Sequence, residues 1–224
     1  MCGRYVLTMP ADEMAAMFDA APANDLAWEA EWNVCPTMRV PACVAGGGGA
    51  RRRLRPMRWG LIPHWYKAEN DGPLLINARA ETVAEKPAFR AACRERRCLI
   101  PANGFYEWTK DADGARLPWF FRRANGGPLA FAGIWQDWAP PGGEPFTTCA
   151  IVSCAAGPAM REVHHREPVT LAPEDWPLWL GEAGHGAAAL MRASPEGRLE
   201  RFRVGREVNS NRAKGPDLVA PLAA

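Results

Sequence analysis

The chain has 224 residues, of which 48% are hydrophobic and 23% are charged. These values are ordinary for a folded globular protein and exclude a disordered, collagen-like or membrane-spanning chain. A chain of this length can bury enough surface to fold without disulfide bonds. Because 27 Lys and Arg stand against 25 Asp and Glu, the net charge is only +2, and overall charge does not indicate nucleic-acid binding.

Composition also constrains the fold class and the cellular compartment. The 21 glycines and 21 prolines interrupt helices, so we expect a strand-rich fold with many turns. Seven scattered cysteines without a Cys-x2-Cys motif, and an N-terminus without a hydrophobic signal region, indicate free thiols in a reducing cytoplasm. The thiols of Cys93 and Cys98, or of Cys149 and Cys154, are spaced so that they could bind zinc. Buried core thiols are the simpler interpretation, so we expect no metal or other cofactor.

The N-terminal half is predicted to contain two helices and a hairpin. Thr8 is placed to cap a first helix that has Pro10 in its first turn and apolar residues at helical spacing behind it. Four glycines at 46–49 predict a flexible loop between two extended segments. Those segments cover 40–44 and 54–59, and a second helix is predicted over 87–96.

The pattern changes between Cys98 and Ser153 to short apolar runs bounded by turn dipeptides, which predicts an antiparallel sheet. Pro173 opens a third predicted helix, and 201–204 is predicted to be a closing strand. No repeat or long linker interrupts the chain, so we expect one α+β domain over residues 1–224. The runs assigned to the antiparallel sheet are 98–100, 105–110, 119–122, 129–136 and 146–153.

The second residue is the first candidate for chemistry. Initiator methionine is generally removed when the next side chain is small, which would make Cys2 the N-terminal residue. Its α-amine and thiol have ordinary pKa values of about 7.7–8.0 and 8.5, so both are partly deprotonated near neutral pH. Such an aminothiol can condense with an aldehyde to a five-membered thiazolidine, or its amine can activate the thiol for amide hydrolysis. A cysteine at position 2 can also occur by chance.

An apolar run that ends in Asn77-Ala78-Arg79 provides a second candidate. Asn77 can donate and accept hydrogen bonds, and Arg79 can bind a phosphate with two nitrogens. Alternatively, Asn77 is a turn residue and Arg79 a solvated cation.

Glu107 is a third candidate, because it shares a strand face with Phe105, where partial burial would favour a protonated general acid. An edge-strand glutamate in water is the alternative.

Two further clusters are less specific. His164 or His165 could transfer protons, or both could be exposed loop residues. Trp65 or Tyr66, next to the Gly60-containing turn, could stack on a nucleobase, although tryptophan is more often a core residue.

Taken together, the sequence resembles the SOS-response-associated peptidase (SRAP) domain family, whose members crosslink to abasic sites in single-stranded DNA. The resemblance covers nearly the whole chain, and the order of its motifs makes it specific. The motifs begin at Met1-Cys2-Gly3-Arg4 and continue with Trp32–Pro36, Trp59–Pro63, Asn77–Thr82, Pro101–Trp108, Ala132–Trp135 and Val163–Pro168.

The resemblance implies a strongly curved, barrel-like antiparallel β core with flanking helices, and roles for individual residues. Cys2 matches the residue that forms the thiazolidine, Asn77 the residue that orients its amine, and Glu107 and His164 the acid-base pair. The adjacent histidines leave open whether His164 or His165 is the catalytic one. The positions that match DNA-binding residues of the family are Arg4, Asn33, Trp65, Tyr66, Arg79, Ser153 and Arg166.

The resulting expectation is a cytoplasmic, monomeric protein that binds single-stranded DNA and captures the aldehyde of an abasic site. An imine formed before ring closure would also allow β-elimination of the 3′ phosphate, and protonation of the sugar by His164 would allow slow reversal. Two other functions remain open. A Cys2-dependent peptidase or amidohydrolase would turn over an amide, and a purely binding protein would not need Cys2.

Overall fold

A computed structural model describes residues 2–222 of the chain. Strands dominate this range and helices are few and short, which confirms the predicted α+β class. The helices are α1 (Ala11–Phe18), α2 (Arg90–Glu95) and α3 (Trp176–Leu180). The strands are β1 (Arg4–Leu7), β2 (Ala20–Pro22), β3 (Glu31–Val34), β4 (Arg39–Val44), β5 (Arg52–Trp59), β6 (Asn77–Arg79), β7 (Arg97–Ala102), β8 (Gly104–Lys110), β9 (Arg116–Arg123), β10 (Leu129–Trp138), β11 (Phe146–Ala155), β12 (Arg166–Pro168) and β13 (Leu199–Arg203).

The strands form two sheets. The five-stranded sheet has the order β13-β9-β8-β1-β3, and the eight-stranded sheet has the order β12-β11-β10-β7-β4-β5-β2, with β6 paired to β11. The predicted antiparallel sheet over 98–153 is therefore wrong in part, because β8 and β9 pair in one sheet while β7, β10 and β11 pair in the other. The parallel pairs β11–β5, β11–β6 and β2–β5 were also not expected.

The hairpin around residues 46–49 is confirmed, since β4 and β5 pair antiparallel with Val44 opposite Arg53. Three of these glycines have positive φ, a conformation that side chains disfavour. Thr8 does not cap α1. Its N–H donates to the side-chain oxygen of Asn103 (2.7 Å), and Pro10 stands at the helix start without a side-chain cap.

The other helices were predicted at the correct places but too long. The segment 87–89 forms turns before α2 begins at Arg90, and Pro173–Asp175 is a single 3-10 turn before α3. Proline at the first position suits both kinds of turn because it has no N–H to satisfy there.

The buried hydrophobic side chains form a large core and a smaller one. The large core includes Cys2, Phe105 and Phe121, together with the cysteines at positions 43, 98, 149 and 154. The smaller core, around Tyr106 and Val208, packs 3-10 turns of the C-terminal segment onto the other face of the five-stranded sheet. Within residues 2–222 no helix is long and apolar enough to cross a membrane.

Candidate active site around Cys2

Cys2 lies two residues before β1 and is completely buried. Its thiol donates to the carbonyl of Arg4, with 3.8 Å between sulfur and oxygen. Burial raises the pKa of the thiol, and the nearby Glu107 carboxyl raises it further. The thiol is therefore protonated at neutral pH, and any reaction that uses it must remove this proton in the same step.

Asn77 links β6 to Cys2, just before β1. Its side-chain nitrogen donates to the carbonyl of Cys2 (2.9 Å), and its side-chain oxygen is buried without a hydrogen-bond partner among residues 2–222. β6 is held beside β11, where Asn77 lies opposite Ile151. The buried strand β11 thus fixes the position of Asn77. The Asn77 side chain binds the backbone carbonyl of Cys2 through its nitrogen and keeps its oxygen as an acceptor.

Glu107 approaches the same place from β8. Arg4 lies opposite Tyr106 in the β1–β8 pair, so continuing this register by one residue puts Glu107 opposite Gly3, next to Cys2. Only 3% of Glu107 is exposed, and burial raises the pKa of its carboxyl. The edge-strand alternative is excluded, because the side chain is inside the molecule and shares a face with Phe105 and Trp119.

The two histidines occupy different environments. His164 is partly buried, and its Nδ1 lies 2.9 Å from the backbone nitrogen and 3.0 Å from the backbone oxygen of Arg166, so the backbone of Arg166 fixes the orientation of the ring. Burial lowers the pKa of His164. His165 is exposed and stacks on His164 with ring centres 4.3 Å apart, and this neighbour is the main cause of its lowered pKa. The geometry favours His164 for a defined proton transfer, and its catalytic role stays a prediction.

Arg166 joins three segments around the site. Its guanidinium donates to both carboxylate oxygens of Glu81 (2.7 and 2.9 Å) and to the carbonyl and hydroxyl oxygens of Ser153 (2.6 and 3.3 Å). Arg166 lowers the pKa of Glu81. Arg166 is almost buried and Ser153 is fully buried. Together these two residues hold β11, β12 and the turn after β6 in contact.

Arg79 differs from these two residues because it is exposed. It lies opposite Ser153 in the β6–β11 pair, two residues beyond Asn77. Its side chain therefore stands on the same strand face as that of Asn77, and phosphate binding by Arg79 stays a prediction.

Arg4 and Asn33 lie on the side of the five-stranded sheet that faces the C-terminal segment. The Arg4 guanidinium donates to the side-chain oxygen of Asn33 (2.9 Å) and to the carbonyl of Val208 (2.7 Å). Asn33 donates in turn to the carbonyls of Ser210 and Ala213. The structure thus gives both residues a role in holding residues 208–213, and DNA contact by them stays a prediction.

Trp65 and Tyr66 belong to the loop between β5 and β6. Trp65 is 47% exposed, and its ring centre lies 6.3 Å from that of Tyr66. The core interpretation of Trp65 is therefore wrong. Within residues 2–222 no hydrogen bond or ring contact joins this pair to Cys2, Asn77, Glu107 or His164, so stacking on a base stays a prediction.

Two carboxylates that support the site were not singled out from the sequence. Glu81 binds Arg166, and its position in the Asn77–Thr82 run was the available signal. Glu167 is buried and accepts from the backbone N–H groups of Gly157 (2.7 Å) and Ser194 (2.6 Å). These bonds fix the start of the segment that carries His164, and no local pattern predicted them.

With this geometry described, the chain can be compared with known proteins. The family model described as SOS response associated peptidase (SRAP) matches residues 1–211. The abasic site processing protein YoqW of Bacillus subtilis is 33% identical over 98% of this chain and 99% of its own length. YedK of Escherichia coli is 29% identical over 99% and 100% of the two chains. Rat HMCES is 28% identical over 99% of this chain and 76% of its own.

Comparison with solved structures identifies the fold. A protein from Bacteroides thetaiotaomicron superposes with a TM-score of 0.86 over 99% of this chain and 100% of its own, at 22% identity, which shows the fold. The site is thus a buried cysteine, Cys2, at the edge of a barrel-like β core, with the side-chain amide of Asn77 and the carboxyl of Glu107 beside it. The chain belongs to the SRAP family, and the fold that the resemblance implies is confirmed.

Proposed function

We propose that this protein binds single-stranded DNA and joins Cys2 covalently to the ring-opened aldehyde of an abasic site. The observation that carries the proposal is the arrangement at Cys2, where Asn77 holds the backbone carbonyl and Glu107 lies beside the thiol. The relatives named abasic site processing proteins support the same substrate. The proposal requires removal of Met1, because an intact Met1 ties up the Cys2 nitrogen as an amide.

The chemistry proceeds in three balanced steps. The closed deoxyribose opens to its C1′ aldehyde, and we assign the proton transfers of this step to the imidazole of His164 and the carboxyl of Glu107. The Cys2 amine adds to C1′, and loss of one water leaves an imine. The thiol then adds to the same carbon while its proton passes to nitrogen, which closes the thiazolidine. Holding the aldehyde and aminothiol together replaces a bimolecular encounter.

The polar groups match these steps. The side-chain oxygen of Asn77 can accept a hydrogen bond from an N–H of the Cys2 amine. This bond directs the lone pair of the amine nitrogen toward C1′. The raised pKa of Glu107 lets it donate a proton closer to neutral pH than an ordinary carboxylic acid would. Exposed Arg79 supplies a cation for an adjacent phosphate, and the same imine allows β-elimination and slow reversal.

A denaturing gel tests the proposal. Purified protein is incubated with single-stranded DNA that contains one abasic site, and mass spectrometry determines whether Met1 is removed. We expect a band that survives denaturation and requires both Cys2 and the abasic site. Cys2→Ala and an undamaged oligonucleotide serve as controls. No band from protein shown to lack Met1 would sink the proposal.

The second candidate is a Cys2-dependent peptidase or amidohydrolase, which the family label suggests. It uses the same thiol with the Cys2 amine as base. Release of product from an amide substrate, without a stable DNA adduct, would favour this function. The high pKa of the buried thiol makes direct attack on an amide costly, so we rank it below aldehyde capture.

A further inference from the structure

The five-stranded sheet carries a row of side chains that leads away from Glu107. Glu107 on β8 lies directly opposite Trp119 on β9, and Trp119 lies directly opposite Arg203 on β13. Directly paired residues point to the same face of a sheet. Adjacent strands are about 4.8 Å apart, so the backbone of Arg203 is only about 10 Å from that of Glu107.

Trp119 orders two arginines at the far end of this row. Its indole nitrogen donates to the hydroxyl of Thr109 (3.1 Å), which fixes the ring on the face that Glu107 shares. The guanidinium carbons of Arg201 and Arg203 lie 5.6 and 5.3 Å from the ring centre. Both distances are within the range of cation–π attraction.

The two arginines differ in what else they bind. Arg201 donates to the carbonyl of Ala159 and to the carboxylate of Glu162, so its charge is balanced and it anchors the segment that leads to His164. Arg203 donates through Nε to the carbonyl of Pro118 (3.2 Å). Among residues 2–222 no carboxylate lies within ion-pair distance of Arg203. The Arg203 guanidinium is thus fixed in position and has no carboxylate counter-ion in the part of the chain that the structure describes.

From this row we infer a phosphate-binding subsite at Arg203, supported by Trp119, that takes a backbone phosphate of the DNA strand on the side of the abasic sugar away from Arg79. A guanidinium that a ring and one carbonyl already orient loses little conformational entropy on binding, and its terminal nitrogens fit a phosphate. The inference rests on the proposed function, since it places the reacting sugar between two cations, Arg79 and Arg203.

Arg203→Gln tests the subsite, with Arg122→Gln as the matched control. Arg122 is on β9 but pairs with Glu200 and contacts the ring of Phe202, on the opposite face. Affinity is measured by fluorescence anisotropy for a single strand with a tetrahydrofuran abasic analogue, which has no aldehyde, over a series of salt concentrations. We expect Arg203→Gln to weaken binding about tenfold and to make the slope of log K against log salt less negative by about 0.7.

Two further variants separate a phosphate contact from a structural effect. Arg203→Lys keeps the charge and loses the planar fork, so the salt slope should stay as in the wild type while affinity falls less than in Arg203→Gln. Trp119→Leu should weaken binding and should not add fully to Arg203→Gln in the double variant, because both remove the same site.

The position of the phosphate is tested with the length of the DNA. Strands are cut back from either end toward the abasic analogue, and the effect of Arg203→Gln should disappear only when one particular side falls below about two nucleotides. Equal affinity and slope for Arg203→Gln and Arg122→Gln would overturn the subsite, as would an effect independent of strand length. Failure of the wild type to crosslink a true abasic site would instead refute the proposed function.

Discussion

At the scale of single residues, the fold buries two ionisable groups of the candidate site and thereby disfavours their charged forms. Cys2 and Glu107 are buried together, and burial raises the pKa of both. A buried carboxylate or thiolate costs free energy, so burial favours the neutral form of each group. The proposed crosslinking therefore requires proton transfers within the site, and we propose that Asn77 and His164 supply hydrogen-bonding atoms for them.

Asn77→Ala should slow crosslinking about 100-fold while the affinity for DNA changes little, because it removes the group that orients Cys2 and no cation. The measurement is the rate of adduct formation at saturating DNA. Asn125→Ala, in the exposed turn where Asn125 accepts from the N–H of Gly127, is the control. An unchanged rate in Asn77→Ala would show that it does not act on the amine.

Glu107→Gln should raise the melting temperature near pH 7 while it slows crosslinking. The folded-state pKa of Glu107 is raised, so its stabilising contribution is complete below the unfolded value of about 4.3 and is lost as pH rises through the folded value. Glutamine avoids that loss. Thermal melts of both proteins from pH 4 to 8 check this, and a difference that fails to shrink toward pH 4 would contradict it.

At the scale of elements, β6, β11 and β12 must be held together for Asn77 to reach Cys2. The strands β6 and β12 have three residues each, too few to be stable by their own backbone pairing. Arg166 compensates by binding Glu81 beyond β6 and Ser153 on β11. Two of the residues predicted to bind DNA, Ser153 and Arg166, therefore also assemble this corner of the site.

Arg166→Met should destabilise the protein by about 2 kcal/mol. The side chain is nearly buried, but its partner Glu81 is half exposed, which reduces the cost of leaving that carboxylate alone. Urea unfolding measures the change. Arg122→Met, which breaks the exposed pair with Glu200, should cost less than about 0.5 kcal/mol. Equal losses in the two variants would mean that Arg166 contributes only a surface ion pair.

At the scale of the whole molecule, the C-terminal segment closes one face of the five-stranded sheet. Val208 and Leu218 complete the smaller core, and Arg4, two residues from Cys2, bonds to the carbonyl of Val208. The two ends of the chain are thereby coupled, and a disturbance of the C-terminal segment reaches the start of β1.

Arg4→Met should raise the hydrogen-exchange rate of the amides in 206–219 about tenfold or more, since it removes charged hydrogen bonds that hold the segment. Exchange in β10 and β11 should not change. Mass spectrometry of peptides after exchange measures both regions, and Arg53→Met on an exposed position of β5 is the control. Unchanged protection of 206–219 would show that apolar packing alone retains the segment.

Much of the secondary structure was predictable because it depends on local patterns. The short apolar runs between turn dipeptides predicted β7 to β11, and the glycines at 46–49 predicted the β4–β5 hairpin. Partner choice was not predictable, since β8 and β9 have the same local pattern as β7 and β10 but pair in the other sheet. The Thr8 cap failed because Asn103, distant in sequence, takes its N–H.

The sequence alone determined the strand-rich class, the family and the candidate site residues, because composition, periodicity and motif order are properties of the chain itself. Tertiary structure decided which of these residues meet. It separated Arg4 and Asn33, now bound to C-terminal carbonyls, from Arg79, Ser153 and Arg166 around β11. It also placed His164 and His165 in different environments and aligned Glu107, Trp119 and Arg203. Burial and strand register set these relations, and both depend on contacts between segments far apart in the chain.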